Sequence, residues 1–212
     1  AIGLADITYE PLPAILDIET AMKTGSWLGP AATMANGDAD AAIAAAPHQL
    51  HGTIEIGGQE HFYLEGQAAL AIPGEDGDML VCASTQHPSE IQHKVADVLG
   101  TQNHSITVET RRMGGGFGGK ESQGNLPAIS AALAAHLTGR PAKTVYDRDD
   151  DFMITGKRHD FRIEYSIGFD SDGRIQGAIF EQAMRCGMSW DLSEAIAARA
   201  TVSYTHLRAH ET

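Results

Sequence analysis

Residues 79–121 read MLVCASTQHPSEIQHKVADVLGTQNHSITVETRRMGGGFGGKE. The run 79–84 (MLVCAS) is short and apolar and suits a buried strand. Over 89–99, Ile91, Val95, Val98 and Leu99 recur at helical spacing, and Gly100 ends the pattern. Residues 105–111 alternate, with Ile106 and Val108 on one face. A dense glycine loop follows at 114–119, and then a helical run at 129–137 (ISAALAAHL), closed by Gly139 and Pro141. Strands and helices interleave, so the predicted class is α+β, in the sense of a mixed α/β fold.

Working outward, 143–146 (KTVY) reads as a strand, and 162–169 and 174–180 alternate around the hairpin signal DSDG at 170–173. Residues 191–200 read as a helix, and 202–212 (VSYTHLRAHET) match no periodicity. Upstream, 51–56 (HGTIEI) and 61–72 are strand-like, and 73–78 is a turn of Pro, Gly and Asp. Residues 29–46 are poor in large apolar side chains and read as a linker or exposed loop. Residues 17–24 (DIETAMKT) predict a short helix with an acidic start, and 7–10 a short strand before Pro11 and Pro13. No internal repeat is visible.

The 212 residues are 42% hydrophobic and 20% charged, a globular balance with enough chain to bury a core. No run of about 18 apolar residues exists, so nothing reads as a membrane-spanning helix. A net charge of −13 argues against nucleic acid and anionic membranes as partners. Cys82 and Cys186 form no CxxC and no disulfide framework. With no initiator Met and no basic-then-apolar leader, the sequence reads as lying inside a longer chain, and a cytoplasmic setting is expected.

The glycine loop carries the chemistry. Glycines this dense let the backbone take positive φ and approach a ligand closely. Between a strand and a helix, successive N–H groups can face an oxygen-rich ligand. The alternative is a flexible connector or a close-packing turn. Gly114, Gly116 and Gly119 satisfy G-x-G-x-x-G, but no acidic ribose partner lies at the expected distance of about 20 residues. Gly114 to Lys120 imitates a phosphate-binding P-loop, yet Glu121 stands where Ser or Thr would hold Mg²⁺, which rejects nucleoside triphosphate binding. Two readings of Glu121 stay open: a charge–dipole contact at the loop–helix junction, or a carboxylate lining a dry pocket.

Other signals are weaker. The ten histidines (His48, His51, His61, His87, His93, His104, His136, His159, His206 and His210) include no HExxH pair, so structural or surface roles outweigh a metal site. No GxSxG element is present. The acidic run 147–151 (DRDDD), with Arg148, Lys157 and Arg158 nearby, reads as a solvated, salt-bridged loop. Gln59-Glu60-His61 and Thr85-Gln86-His87 sit at strand edges, where site side chains gather.

Four segments, in this order, resemble the molybdenum hydroxylase family: 57–65 (GGQEHFYLE), 84–88 (STQHP), 112–121 (RMGGGFGGKE) and 147–161 (DRDDDFMITGKRHDF). The glycine loop resembles the family at large, whereas GQEHFYLE and TGKRHDF resemble its xanthine dehydrogenase branch, and most closely the separate molybdopterin-binding subunit of bacteria. The resemblance implies that 1–28 end an α/β hammerhead domain and 29–48 are a linker. It implies that 49–200 are the first part of a xanthine dehydrogenase/aldehyde oxidase molybdopterin-binding domain. Residues 201–212 then resemble a non-native tail, the translated read-through of a sequencing adaptor; the alternative is a native polar end.

The implied activity is hydroxylation of hypoxanthine and xanthine to urate by a molybdenum-bound hydroxide, with hydride passing to a sulfido ligand. The implied cofactor is molybdenum-molybdopterin. The implied partners are an iron–sulfur/FAD subunit or domain carrying [2Fe–2S] clusters and FAD, and a purine substrate, in a hetero-oligomer. By motif, Gln86 hydrogen-bonds the molybdenum oxo ligand, Gly116, Phe117 and Gly118 bring loop backbone beside the metal's ligands, and Glu121 contacts the purine. Gln86 and Phe117 are thus neighbours of molybdenum without ligating it. The family's general base, a glutamate, and its second substrate arginine would lie beyond residue 212, so no residue here takes a catalytic role. The alternatives are another hydroxylase of the family, acting on an aldehyde or N-heterocycle, or a non-catalytic anion-binding module. The carbon monoxide branch is disfavoured because the glycine-loop region has no cysteine.

Overall fold

The computed structural model describes residues 7–203. In chain order its regular elements begin with α1 (Ile18–Thr24), α2 (Ala39–Ala45), β1 (His48–Ile56), β2 (Ala68–Pro73) and β3 (Met79–Ala83). They continue with α3 (Pro88–Leu99), β4 (Ile106–Glu109), α4 (Asn125–Thr138), β5 (Ala142–Val145) and α5 (Arg148–Ile154). The last are β6 (Phe161–Phe169), β7 (Ile175–Met184) and α6 (Ser193–Ser203). The chain divides into two compact units, Gly58–Arg158 and the described parts of Ala1–Gly57 with His159–Thr212. Among the described residues no helix is long and apolar enough to cross a membrane.

The unit Gly58–Arg158 is a four-stranded sheet in the order β4-β3-β2-β5 with two helices packed on it. Alternate residues of β2 and β3, namely Ala69, Ala71, Met79, Val81 and Ala83, point into the core, as a half-buried sheet requires. Against them α3 lays Ile91, Val95 and Ala96, and α4 lays Ala128, Ala131, Ala132 and Ala135. The alanine face lets α4 sit close to the sheet. Both helices end at glycines in the left-handed region, Gly100 (φ 65) and Gly139 (φ 64).

Strand direction gathers the loops. β3 and β4 are parallel, with Cys82 opposite Glu109, so the segments leaving both emerge at one end of the sheet. β2 is antiparallel to β3, with Ala69 opposite Ala83, so the segment entering β2 arrives at that same end. β5 is antiparallel to β2, with Val145 opposite Ala68, so its exit lies there too. Residues 61–67, 84–87, 110–124 and 146–158 therefore meet at one rim.

The other unit is an antiparallel sheet in the order β1-β6-β7. Its hairpin turn is the DSDG segment: Asp170 Oδ1 accepts the N–H groups of Asp172 (3.0 Å) and Arg174 (2.9 Å), and Gly173 takes φ 82. α2 rests on a facing glycine pair. A Cβ on Gly168 would stand 2.8 Å from Ile43 Cα, and one on Gly177 2.9 Å from Ala42 Cβ.

Three sequence expectations differ from this fold. Residues 39–45, read as linker, form α2: Asp38 caps it by accepting the Ala41 N–H (3.0 Å), and Ile43 alone supplies the buried anchor because glycines lie beneath. Residues 7–10 are exposed and irregular, with no partner strand. Residues 61–67 are irregular because Phe62 takes φ 51, which interrupts any extended run. α6 extends to Ser203, and residues 204–212 of the suspected tail, like residues 1–6 of the expected hammerhead end, lie outside the described residues.

Candidate functional site

The glycine loop crosses the rim between β4 and α4, and its conformation needs its glycines. Gly115 (φ 94) and Gly118 (φ 93) occupy left-handed space that other residues avoid. Phe117 also has positive φ (53), a strained state for a bulky residue, and its side chain is 64% exposed. Strain of this kind persists only where the surroundings hold it. Here they do: a Cβ on Gly114 would meet Glu65 Cβ at 2.5 Å, one on Gly116 would meet Gln86 Oε1 at 2.5 Å, and one on Gly119 would meet the rings of His61 and Tyr63 at 2.7 Å.

Gln86, leaving β3, is held by that loop. Its Oε1 accepts the N–H groups of Gly118 (3.0 Å) and Lys120 (3.1 Å), and its own N–H donates to Lys120 O (2.8 Å). The Thr85 hydroxyl donates to the same carbonyl (3.1 Å). With the oxygen fixed, the orientation of the carboxamide is fixed, and Nε2 is its free end: it donates to nothing among the described residues. The N–H of Gly119 turns back onto Gly116 O (2.7 Å), whereas that of Phe117 has no acceptor among the described residues. The rim thus offers an aimed amide donor beside an unengaged backbone donor, a pair suited to oxygen-rich ligands.

Beneath the loop lies a polar clamp. Glu65 Oε2 accepts from Gly114 N–H (2.7 Å), Ser84 Oγ (2.7 Å) and Lys120 Nζ (3.3 Å). Lys120 is fully buried, also donates to Ser84 Oγ (2.7 Å), and lies 4.6 Å from the Tyr63 ring centroid. Burial pushes the Glu65 carboxyl up, but the Gly114 amide, Ser84 hydroxyl and Lys120 ammonium outweigh it and hold the group below the usual glutamate value. Burial dominates at Lys120 and lowers its ammonium despite Glu65. Tyr63 donates to buried Asp151 Oδ1 (2.6 Å) and accepts from Gln67 Nε2 (2.9 Å), which also donates to Gly119 O (2.9 Å). Burial, reinforced by the bond to Asp151, pushes the Tyr63 phenol up to about 12.

Gln86, Gly116, Phe117 and Gly118 therefore meet in one place. Glu121 follows directly, half-buried and without a hydrogen bond or ion pair among the described residues. α4 starts only at Asn125, after an irregular turn, so Glu121 does not cap it and the charge–dipole reading is withdrawn. No group of three or more metal-capable side chains occurs among the described residues. His61 stacks near Tyr63 (6.5 Å, 20°), and burial lowers its imidazole. His87 pairs with Glu90 (2.9 Å).

The acidic run is not a loop. Asp147 caps α5, and Asp151, one turn on, turns inward to Tyr63 and Gln67. Glu65, Lys120, Ser84, Tyr63, Gln67 and Asp151 were not singled out in the sequence. Their signal was the i, i+4 spacing of Asp147, Asp151 and Thr155, and a Glu and a Lys flanking apolar or glycine runs.

Residues 26–207 match the family model of the molybdopterin cofactor-binding domain. The chain is 44% identical over 195 residues to xanthine dehydrogenase/oxidase of Mus musculus, covering 92% of this chain and 15% of the relative. It is 43% identical over 196 residues to xanthine dehydrogenase of Calliphora vicina, covering 92% of this chain and 14% of the relative. Among solved structures, quinoline 2-oxidoreductase from Pseudomonas putida 86 superposes with a TM-score of 0.71 at 24% identity, over 85% of this chain and 24% of that one. The chain thus spans about 15% of the length of the curated relatives it matches. A rim built around amide donors, and a family match that runs through every segment of that rim, lead to one conclusion: the chain belongs to the molybdopterin cofactor-binding domain family, whose cofactor is molybdenum-molybdopterin.

Proposed function

We propose that this chain is the first part of the molybdopterin-binding domain of a xanthine dehydrogenase, with a hydroxypurine as substrate. The observation that carries the reading is the Gln86 carboxamide, whose oxygen is spent on the glycine loop that holds the strained Phe117 and whose Nε2 donates to nothing among the described residues. This donor set fits the cofactor, since an oxo group and pterin oxygens need N–H donors and the rim supplies them already oriented. When bound, molybdenum-molybdopterin supplies the oxidising centre for hydroxylating an electron-poor carbon.

The residues here prepare that site. Gln86 Nε2 would donate to an oxygen of the bound cofactor, and Gly116, Phe117 and Gly118 would hold the loop backbone beside it. Glu121, with no hydrogen bond or ion pair among the described residues, accepts an N–H of the purine and so orients the ring. The purine reading is supported by xanthine dehydrogenases at 38–44% identity and by a carboxylate, unpaired among the described residues, where a phosphate loop would exclude one. Iron–sulfur clusters and FAD, on a partner chain or elsewhere in the same polypeptide, would supply the onward path for electrons in a cytoplasmic hetero-oligomer.

The test uses the complete molybdenum-loaded enzyme. Glu121→Ala lowers xanthine turnover by about ten- to hundredfold, the worth of a charged hydrogen bond, while molybdenum content holds. Equal turnover removes the substrate role, and preference for an aldehyde or quinoline over xanthine moves the enzyme to another branch. Gln86→Ala changes the Mo(V) spectrum.

A further inference from the structure

One group in the rim has no part in binding as described so far. Lys120 is a lysine with no exposed surface, and burying an ammonium is costly where a methionine could fill the same space. Its bonds form a directed chain: Nζ donates to Ser84 Oγ (2.7 Å), Ser84 Oγ donates to Glu65 Oε2 (2.7 Å), and Gly114 N–H donates to that same oxygen (2.7 Å). The clamp therefore ties the first glycine of the loop to the residue that ends it. At the same residue, the Lys120 N–H and C=O are two of the three backbone groups that grip Gln86, through Oε1 (3.1 Å) and N (2.8 Å), the third being the Gly118 N–H on Oε1 (3.0 Å). A shift of Lys120 is thus a shift of Gln86.

We propose that Lys120 is a positioning residue: its ammonium, locked between Ser84 and Glu65, sets where the Gln86 carboxamide and the Phe117 backbone stand relative to the cofactor. It touches neither cofactor nor substrate. The inference rests on the reading that Gln86 faces the cofactor. An ion pair of this kind, with its lysine buried and its Glu65 side chain 43% exposed, contributes little net stability, but its fixed donor directions define one geometry.

The test compares Lys120→Met, Lys120→Arg, Ser84→Ala and Gln86→Ala in the complete molybdenum-loaded enzyme. The readouts are molybdenum content, Mo(V) electron paramagnetic resonance, and kcat and KM for xanthine. Lys120→Met is expected to keep molybdenum within about twofold and KM within about threefold, to alter the Mo(V) signal, and to lower kcat about a hundredfold, as an ångström of misplacement does. Lys120→Arg does not rescue, because the closed space has no room for a guanidinium. Ser84→Ala, which removes only the relay hydroxyl, moves the same signal in the same direction and decides the matter should Lys120→Met fail to fold. Wild-type Mo(V) signal and kcat in the folded variants, whatever happens to thermal stability, overturn the proposal. If Gln86→Ala also leaves the signal unchanged, the parent reading fails with it; if Gln86→Ala changes the signal, the positioning role alone fails.

Discussion

Gly116→Ala puts the seat of the Gln86 carboxamide under direct pressure. The new Cβ would stand 2.5 Å from Oε1, 2.8 Å from Cδ and 2.9 Å from Cγ. Ordinary contact needs roughly 3.4 Å, so the carboxamide retreats by about 1 Å. Gly116 is not among the residues with positive φ, so alanine brings no backbone strain to confuse the result. The bonds from Gly118 and Lys120, now 3.0 and 3.1 Å, stretch past hydrogen-bonding length. Two such bonds, partly replaced by water, cost about 1–2 kcal/mol of local stability. The larger effect is geometric: a 1 Å error in an aimed donor lowers kcat by about a hundredfold. Steady-state kinetics on xanthine with the complete enzyme, normalised to molybdenum content, measures it. A Gly116→Ala enzyme with wild-type kcat and an unchanged Mo(V) spectrum would refute the reasoning, because the carboxamide would then have moved without consequence.

Two further outcomes follow from the rim. Gly119→Ala drives a Cβ to 2.7 Å from the His61 and Tyr63 rings and is expected to destabilise by about 1–3 kcal/mol in urea unfolding. His61→Ala relieves part of that cost, whereas it does not relieve Gly118→Ala, whose penalty is φ strain with the nearest atom 3.8 Å away; absence of coupling between positions 119 and 61 counts against this packing. The Glu65 carboxyl lies below its ordinary value of 4.5, so its stabilisation is present above that value and fades as pH falls through the lower folded one. Urea midpoints at pH 6 and pH 3.5 should diverge less in Glu65→Gln than in wild type, and parallel losses would show that the clamp does not titrate.

The sequence was most legible where one face of an element meets the core. α3 announced itself through Ile91 and Val95, and the β6–β7 hairpin through alternation around DSDG. α2 was not legible, because its partner surface is a pair of glycines, and a helix on glycines needs only Ile43 rather than an apolar stripe. Gln86 and the glycine loop were picked out by motif, but their scaffold was not. Glu65 and Lys120 lie 55 residues apart, and only the pairing of β3 with both β2 and β4 brings their segments to the same rim. Asp151 hid among its exposed acidic neighbours because charge composition does not say which carboxylate of a helix turns inward.

The pairing of β1 with β6 also dictates an order of assembly. Its innermost pair, Ile56 with Phe161, encloses the whole of Gly58–Arg158. Closing a disordered segment of about a hundred residues costs about 4 kcal/mol in chain entropy. That cost shrinks once the enclosed stretch has condensed, since the Arg158 N–H then donates to Gln59 O at 2.9 Å and holds its two ends together. On the ribosome β1 emerges early and waits, an unzipped edge, while the inner sheet matures. Slowing the inner sheet should therefore prolong the exposure of β1 to aggregation, even though no residue of β1 has been changed.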